Sequence, residues 1–177
     1  MKIIVPLAEG FEEIESLTVI DVLRRAGINV ETVGIMGSVV SGSHGVRVMA
    51  DKKLLEINAD EYDGIVLPGG SPGYLNLGKS SKIIEILRRF DSAGKLIAAI
   101  CGAPSILAKV GILEGKKATI FPGMEKELPH PRGEKVVVDG NIITSQGPGT
   151  AMDFALTIVE ALQGRDKALQ LRRQLVY

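Results

Sequence analysis

Five apolar residues in succession, Leu96-Ile97-Ala98-Ala99-Ile100, run without alternation into Cys101-Gly102-Ala103-Pro104. No other stretch limits the fold so tightly. A strand of this kind is buried on both faces, which calls for a parallel sheet with helices above and below it. Gly102 permits a sharp turn, and Pro104 suits the first turn of a helix, where its missing N–H is not needed. The apolar Ile106-Leu107-Ala108 then carries that helix into the core. Cys101 is therefore expected at the carboxyl end of a strand and the amino end of a helix, a nucleophile elbow with sulfur in place of a hydroxyl. Unpaired N–H groups and the positive end of the helix dipole favour a thiolate there. They predict a thiol moved from its ordinary value of about 8.5 toward about 5.5. A plainer reading stays open, because free cysteine is often just a small core residue.

The rest of the chain repeats this strand–helix rhythm. Lys2 to Leu7 reads as the first strand, and Ala8-Glu9-Gly10 turns it into a helix from Phe11 to Ala26. On a helical wheel of about 100° per residue, Val19, Val22, Leu23 and Ala26 share one apolar arc. Glu15 falls in the middle of that arc, while Glu12 and Glu13 lie at its edge or off it. An acid aimed at the core is expensive unless paired or protonated, so Glu15 is the carboxylate that needs a partner. The competing reading is a surface glutamate near a helix start, where negative charge is welcome. Ile14 and Leu17 face the opposite side, as chance exposure or as a surface for a partner subunit.

Asn29 to Ile35 is expected as a second strand, and residues 37–49 as a hairpin carrying His44. Gly64 to Leu67 is another buried strand, closed by Pro68-Gly69-Gly70-Ser71-Pro72-Gly73. That loop sits where open α/β sheets place ligands, with glycine N–H groups free to approach an oxyanion. Ser80 to Ala93 reads as a helix with Ile83, Ile84, Leu87 and Phe90 inward. Lys117 to Phe121 resembles a strand, Pro122 to Arg132 is irregular and holds His130, and Asp139-Gly140 marks a two-residue hairpin turn. Gln146-Gly147-Pro148-Gly149-Thr150 leads into a helix from Ala151 to Leu162, capped by Thr150 or Gly149, and a polar helix from Asp166 closes the chain. This order points to an α/β fold: a three-layer sandwich around a mostly parallel sheet.

Composition narrows the function. With 177 residues the chain suits one domain with a sizeable core. Its 21 basic and 21 acidic residues balance, so no footprint for nucleic acid or anionic membrane is expected. Met1-Lys2 leads straight into a short strand, no apolar run has the length to span a bilayer, and one cysteine permits no internal disulfide. These features fit a cytoplasmic protein, and a single cysteine excludes thiolate-rich zinc sites. The loop after Leu67 lacks the Lys-Ser/Thr of a phosphate loop, and no cofactor or metal is expected.

Four motifs together, Ala98-Ala99-Ile100-Cys101-Gly102-Ala103-Pro104, Leu67-Pro68-Gly69-Gly70, Glu12-Glu13-Ile14-Glu15 and Gly147-Pro148-Gly149-Thr150, resemble the ThiJ/PfpI superfamily, most closely its ThiJ branch. The resemblance runs over nearly the whole chain in one order. It implies a single flavodoxin-like domain over residues 1–177, of the class I glutamine amidotransferase kind, and a homodimer. It also implies Cys101 as nucleophile, Glu15 as the carboxyl group bonded to it, and an oxyanion pocket at Gly69, Gly70 and Gly102. Pro148, His130 and His44 are further candidates near such a site. In the superfamily's peptidase-like branch a His follows the cysteine directly; here Gly102 stands there, so peptidase chemistry lacks its base.

The activity this implies is that of a cofactor-independent deglycase and glyoxalase III. Its substrates would be methylglyoxal-type dicarbonyls and their early glycation adducts, with a Cys101 hemithioacetal and Glu15 as proton shuttle. The alternative is an oxidative-stress sensor or redox-regulated chaperone in which Cys101 is oxidised to a sulfinate. The same residues serve both readings.

Overall fold

The computed structural model describes all 177 residues. Its elements are, in chain order, β1 (Lys2–Leu7), α1 (Glu13–Arg25), β2 (Asn29–Gly34), β3 (Val39–Ser41), β4 (Arg47–Met49), β5 (Lys52–Lys53), β6 (Gly64–Leu67), α2 (Gly73–Lys79), α3 (Ser81–Ser92), β7 (Leu96–Ile100), α4 (Pro104–Lys109), β8 (Val136–Asp139), β9 (Ile142–Ser145), α5 (Ala151–Gln163) and α6 (Arg165–Gln174). Seven strands form one sheet in the order β5-β2-β1-β6-β7-β9-β8, and β3 and β4 make a separate hairpin. Every pairing in the large sheet is parallel except β8 with β9. This is the expected three-layer α/β sandwich.

The sheet divides the core in two, because successive side chains of a strand point to opposite faces. Leu96, Ala98 and Ile100 of β7 face α1, α5 and α6, where Val19, Leu23, Phe154 and Leu171 pack. Ile97 and Ala99 face α2, α3 and α4, where Leu77, Ile83, Phe90 and Leu107 pack. All five residues of β7 are buried, which is why the apolar run does not alternate. On α3 the strongly inward residues are Ile83, Ile86, Leu87 and Phe90; Ile84 is only partly buried, so Ile86 takes the place expected of Ile84.

Three further expectations need correction. Lys117 to Phe121 forms no strand and makes one isolated bridge, Ala118 with Pro131. Its backbone bonds are instead spread over His130, Arg132, Cys101, Met124, the Thr144 hydroxyl and the Asp139 carboxylate. The β8–β9 hairpin pairs Asp139 with Ile142, so its central residues are Gly140 and Asn141, with Gly140 taking the positive φ of 63°. Thr150 precedes α5 but its hydroxyl bonds Gly147, closing the Gly147–Thr150 turn and leaving the helix end uncapped by a side chain.

The order of the strands matters for function. From β1 the chain moves outward to β2, then returns across β1 to β6, so the direction of winding reverses between β1 and β6. Crevices at such a reversal, beyond the carboxyl ends of the strands, are where these sheets bind ligands. No helix is long and apolar enough to cross a membrane.

The two core halves are expected to respond independently. Ile83→Val on one face and Ile158→Val on the other should each cost about 1 kcal/mol. The double variant should cost their sum to within about 0.5 kcal/mol in urea unfolding. A larger discrepancy would mean that the sheet transmits packing changes between its faces.

Candidate functional site

The carboxyl ends of β6 and β7 and the start of α1 meet at the reversal point. The first bond is between backbones: the Glu12 N–H donates to the Gly69 carbonyl at 3.0 Å. The second returns from the loop, with the Gly69 N–H donating to Glu15 Oε2 at 2.8 Å. Glu15 is fully buried, so the surface reading of this residue falls. Its other oxygen, Oε1, has no hydrogen-bond partner. The side chain shares its pocket with Cys101: a Cβ placed on Gly69 would lie 2.7 Å from Glu15 Oε2 and 3.0 Å from Cys101 Sγ. Only glycine leaves that space for the acid and the thiol to meet.

Cys101 is partly buried and carries a φ of 64°, in the left-handed region that side chains rarely adopt. The turn expected of Gly102 is thus made by the cysteine itself. Two backbone bonds hold it there: Cys101 N–H to the Ser145 carbonyl and Phe121 N–H to the Cys101 carbonyl, both 3.0 Å. Strain of about 1–3 kcal/mol persists only where neighbours over-determine the conformation, and such positions cluster at functional sites. Gly102 is small for another reason. A Cβ there would stand 2.9 Å from the Tyr74 ring.

The backbone N–H groups of Gly70 and Gly102 face the sulfur of Cys101 and favour its charged form. Gly70 has a φ of 88°, and a Cβ on it would run into the backbone at Gly10 and Glu12. Its glycine is needed twice over. The Gly69 N–H, by contrast, is committed to Glu15 and is not free for an oxyanion. Two of the three expected donors face the sulfur; the third holds the acid.

Electrostatics at the pair departs from expectation in one respect. Burial pushes Glu15 from 4.5 up to about 7, against the opposing pull of the Gly69 N–H and the Cys101 hydrogen bond. The thiol is not lowered: burial first and the Glu15 charge second push it up to about 12, with Gly70 and Gly102 only partly offsetting this. The helix dipole does little because α4 has six residues and begins at Pro104, beyond the sulfur. Acid and thiol titrate as a unit. Both are raised, so when Glu15 ionises the negative charge rests on the carboxylate and the thiol keeps its proton.

The remaining candidates fall in different places. Pro148 lines a shallow concavity of about 210 Å³ with Phe121, Gln146 and Gly147, reached from Cys101 through the Phe121 backbone. His130 is exposed and offers only its carbonyl, to Ala118, so the structure does not bring its ring to the sulfur. His44 sits at the surface with Nδ1 3.0 Å from Glu13 and 3.7 Å from Glu12. Glu12 and Glu13 are both buried, contrary to their wheel positions, because the β3–β4 hairpin covers them. Glu13 accepts the His44 and Val46 N–H groups and the Ser43 hydroxyl. These bonds overcome its burial and hold its carboxyl down at about 2, while the Glu13 bond raises His44. Glu12, Glu13 and His44 bring three donor atoms within 4.8 Å, as a metal would need. Here those atoms are spent in fastening the hairpin to α1.

Tyr74 was not foreseen. It lies on α2, whose seven residues are too few to show a period, and its only sequence signal is the aromatic after Pro72-Gly73.

A family model described as DJ-1/PfpI matches residues 1–161. The chain is 44% identical to protein dj-1beta of Drosophila melanogaster, over 98% of this chain and 95% of the relative. It is 33% identical to a protein named a deglycase from Pyrococcus abyssi, over 92% of this chain and 100% of the relative. The structure of oxidised DJ-1 from Toxoplasma gondii superposes with a TM-score of 0.96 at 38% identity, covering 99% of this chain and 98% of that one.

A pH test isolates the buried acid. Because Glu15 is raised in the fold, its protonated form favours folding fully below about 4.5, and that advantage is lost as pH rises through about 7. Glu15→Gln keeps the shape and the Gly69 bond but cannot ionise. Its stability relative to the parent should rise by about 3 kcal/mol between those pH values, read by urea unfolding. Parallel pH profiles would show that Glu15 is not raised.

Proposed function

The chain belongs to the DJ-1/PfpI family, and from that membership and the geometry of its site we propose that it is a cysteine-dependent deglycase and glyoxalase III. Its substrates are methylglyoxal-type dicarbonyls and their early glycation adducts. The observation that carries this reading is the buried Glu15 carboxyl brought against the Cys101 thiol at Gly69, beside two backbone N–H groups that favour a charged sulfur. The Pyrococcus abyssi relative named a deglycase supports it.

In this scheme Cys101 adds to the aldehyde carbon as the thiol proton passes to Glu15. A group with a value near 7 both accepts and returns a proton at neutral pH. The new C–S bond leaves an oxyanion, which the Gly70 and Gly102 N–H groups stabilise. Protonation gives the hemithioacetal. Glu15, again ionised, takes the proton from the former aldehyde carbon and delivers it to the adjacent one, turning the ketone into an alcohol. The product is a lactoyl thioester on Cys101, and water releases lactate and the thiol. No outside oxidant or reductant enters, since one carbon is oxidised as its neighbour is reduced. Peptidase chemistry is not proposed, because Gly102 supplies no base.

Cys101→Ser should fold normally and lose dicarbonyl turnover by at least about a hundredfold, as a hydroxyl without a strong base is a poor nucleophile. Lactate formed from methylglyoxal measures this; turnover within twofold of the parent would exclude Cys101 as nucleophile.

A second reading rests on the oxidised Toxoplasma gondii DJ-1 structure, which this chain closely superposes. In a redox sensor, Cys101 would be oxidised to a sulfinate, and a protonated Glu15 would donate to its oxygen. Intact mass after peroxide, compared between the parent and Glu15→Leu, separates a stabilised sulfinate from indiscriminate oxidation.

The family resemblance and one exposed surface support a homodimer. Ile14 and Leu17 stand out of α1 at 56% and 39% exposure, and Val46 of the neighbouring hairpin at 48%. Scattered singly these would mean little; together on one face they suit a partner copy. Light scattering should give twice the chain mass at micromolar concentration, and Leu17→Glu should give the monomer. A monomeric parent would refute the assembly.

A further inference from the structure

On the face of the sheet away from α1, a cavity of about 310 Å³ opens between α2, α3 and α4. Its size lies at the lower end of the range for small-molecule sites, about 300–1,000 Å³. Tyr74, Ile84, Ile106 and Val110 give it an apolar interior. Two cations, Lys79 and Lys109, line it, and no acid does. Lys79 has no ion-pair partner, and Lys109 reaches only Glu127, at 3.8 Å and with its side chain 66% exposed. An apolar hole with only partly neutralised positive charge at its rim complements a hydrocarbon tail ending in an anion.

We infer that this cavity binds a medium-chain carboxylate, of about six to eight carbons for its volume, with the tail against Tyr74 and Ile106 and the head at Lys79 and Lys109. The site is separate from the Cys101 pocket but shares its wall. The Tyr74 ring packs on Gly102, and the Ser105 hydroxyl, deep in the cavity lining, donates to the Gly102 carbonyl at 2.7 Å. Gly102 in turn directs its N–H at the sulfur. An occupant that shifts Tyr74 or Ser105 therefore displaces Gly102, the residue whose N–H faces the sulfur. This coupling holds whether Cys101 serves catalysis or redox sensing.

The test is a titration of the full chain, uniformly labelled with ¹⁵N, with sodium octanoate. Sodium acetate and octyltrimethylammonium serve as probes of charge alone and tail alone. Saturable shifts are expected at the amides of Tyr74, Ile106 and Lys109, with submillimolar affinity for octanoate only. Lys79→Gln with Lys109→Gln should weaken it roughly tenfold. Gly78→Leu should abolish it by filling the cavity; a Cβ at Gly78 only touches Ile106, at 3.4 Å, so the substitution is compatible with the fold. The rate of Cys101 alkylation by iodoacetamide should change with octanoate in the parent and stay constant in Gly78→Leu. Equal binding of octyltrimethylammonium or of acetate, or octanoate affinity that survives loss of both lysines, would overturn the site. Bound octanoate with no change in alkylation would overturn the coupling.

Discussion

The Gly69 N–H bond to Glu15 is the interaction on which the site depends. It joins the end of β6 to the first turn of α1 across the point where the sheet reverses its winding. The Glu12 N–H bond to the Gly69 carbonyl makes the attachment two-sided. Burying a carboxyl group with one oxygen unpartnered is costly, and a fold tolerates it only by holding the group neutral or spreading its charge. Glu15 therefore keeps its proton to unusually high pH and meets the sulfur of Cys101 as the other claimant to it. The chemistry follows from the burial.

That meeting also explains why the cysteine carries the strained turn. The chain must leave the end of β7 and turn the Cys101 side chain back toward the Gly69–Gly70 loop within one residue. A left-handed Cys101 accomplishes this, fixed by the Ser145 carbonyl on one side and the Phe121 N–H on the other. The strain is supported by two segments far apart in sequence, so it is a property of the assembled sheet and not of the local peptide.

Legibility in the sequence followed the range of the forces involved. The unalternating run of β7, the arc containing Glu15 and the glycine loop after Leu67 were readable because burial imposes a period or a composition on consecutive residues. Which glycine N–H would be spent on the acid was not readable, since Gly69 and Gly70 are neighbours that differ only in tertiary partner. Nor was the thiol's direction: strand-then-helix suggested a dipole, but the helix is six residues long and the nearest charge is the wrong sign for a thiolate. Residues 117–121 have strand composition, yet their bonds are scattered over several separate segments. Glu13 lies off the apolar arc and is buried by a hairpin thirty residues on, which a helical wheel cannot register.

The missing base beside the cysteine belongs to the same argument. Gly102 is not a vacancy that a histidine could fill, because any Cβ there meets the Tyr74 ring at 2.9 Å. Tyr74 and Gly102 are two halves of one packing decision, made by a short helix on the far face of the sheet. That decision leaves Glu15 as the one titratable side chain acting on the sulfur. In the proposed reaction, proton transfer at this site passes through a carboxyl group whose value burial has brought near neutrality. A histidine enters such a site already titrating near pH 7; a glutamate does so only when the fold withholds water and leaves it few hydrogen bonds. The constraint that makes Glu15 expensive to bury is the same one that fits it to move a proton.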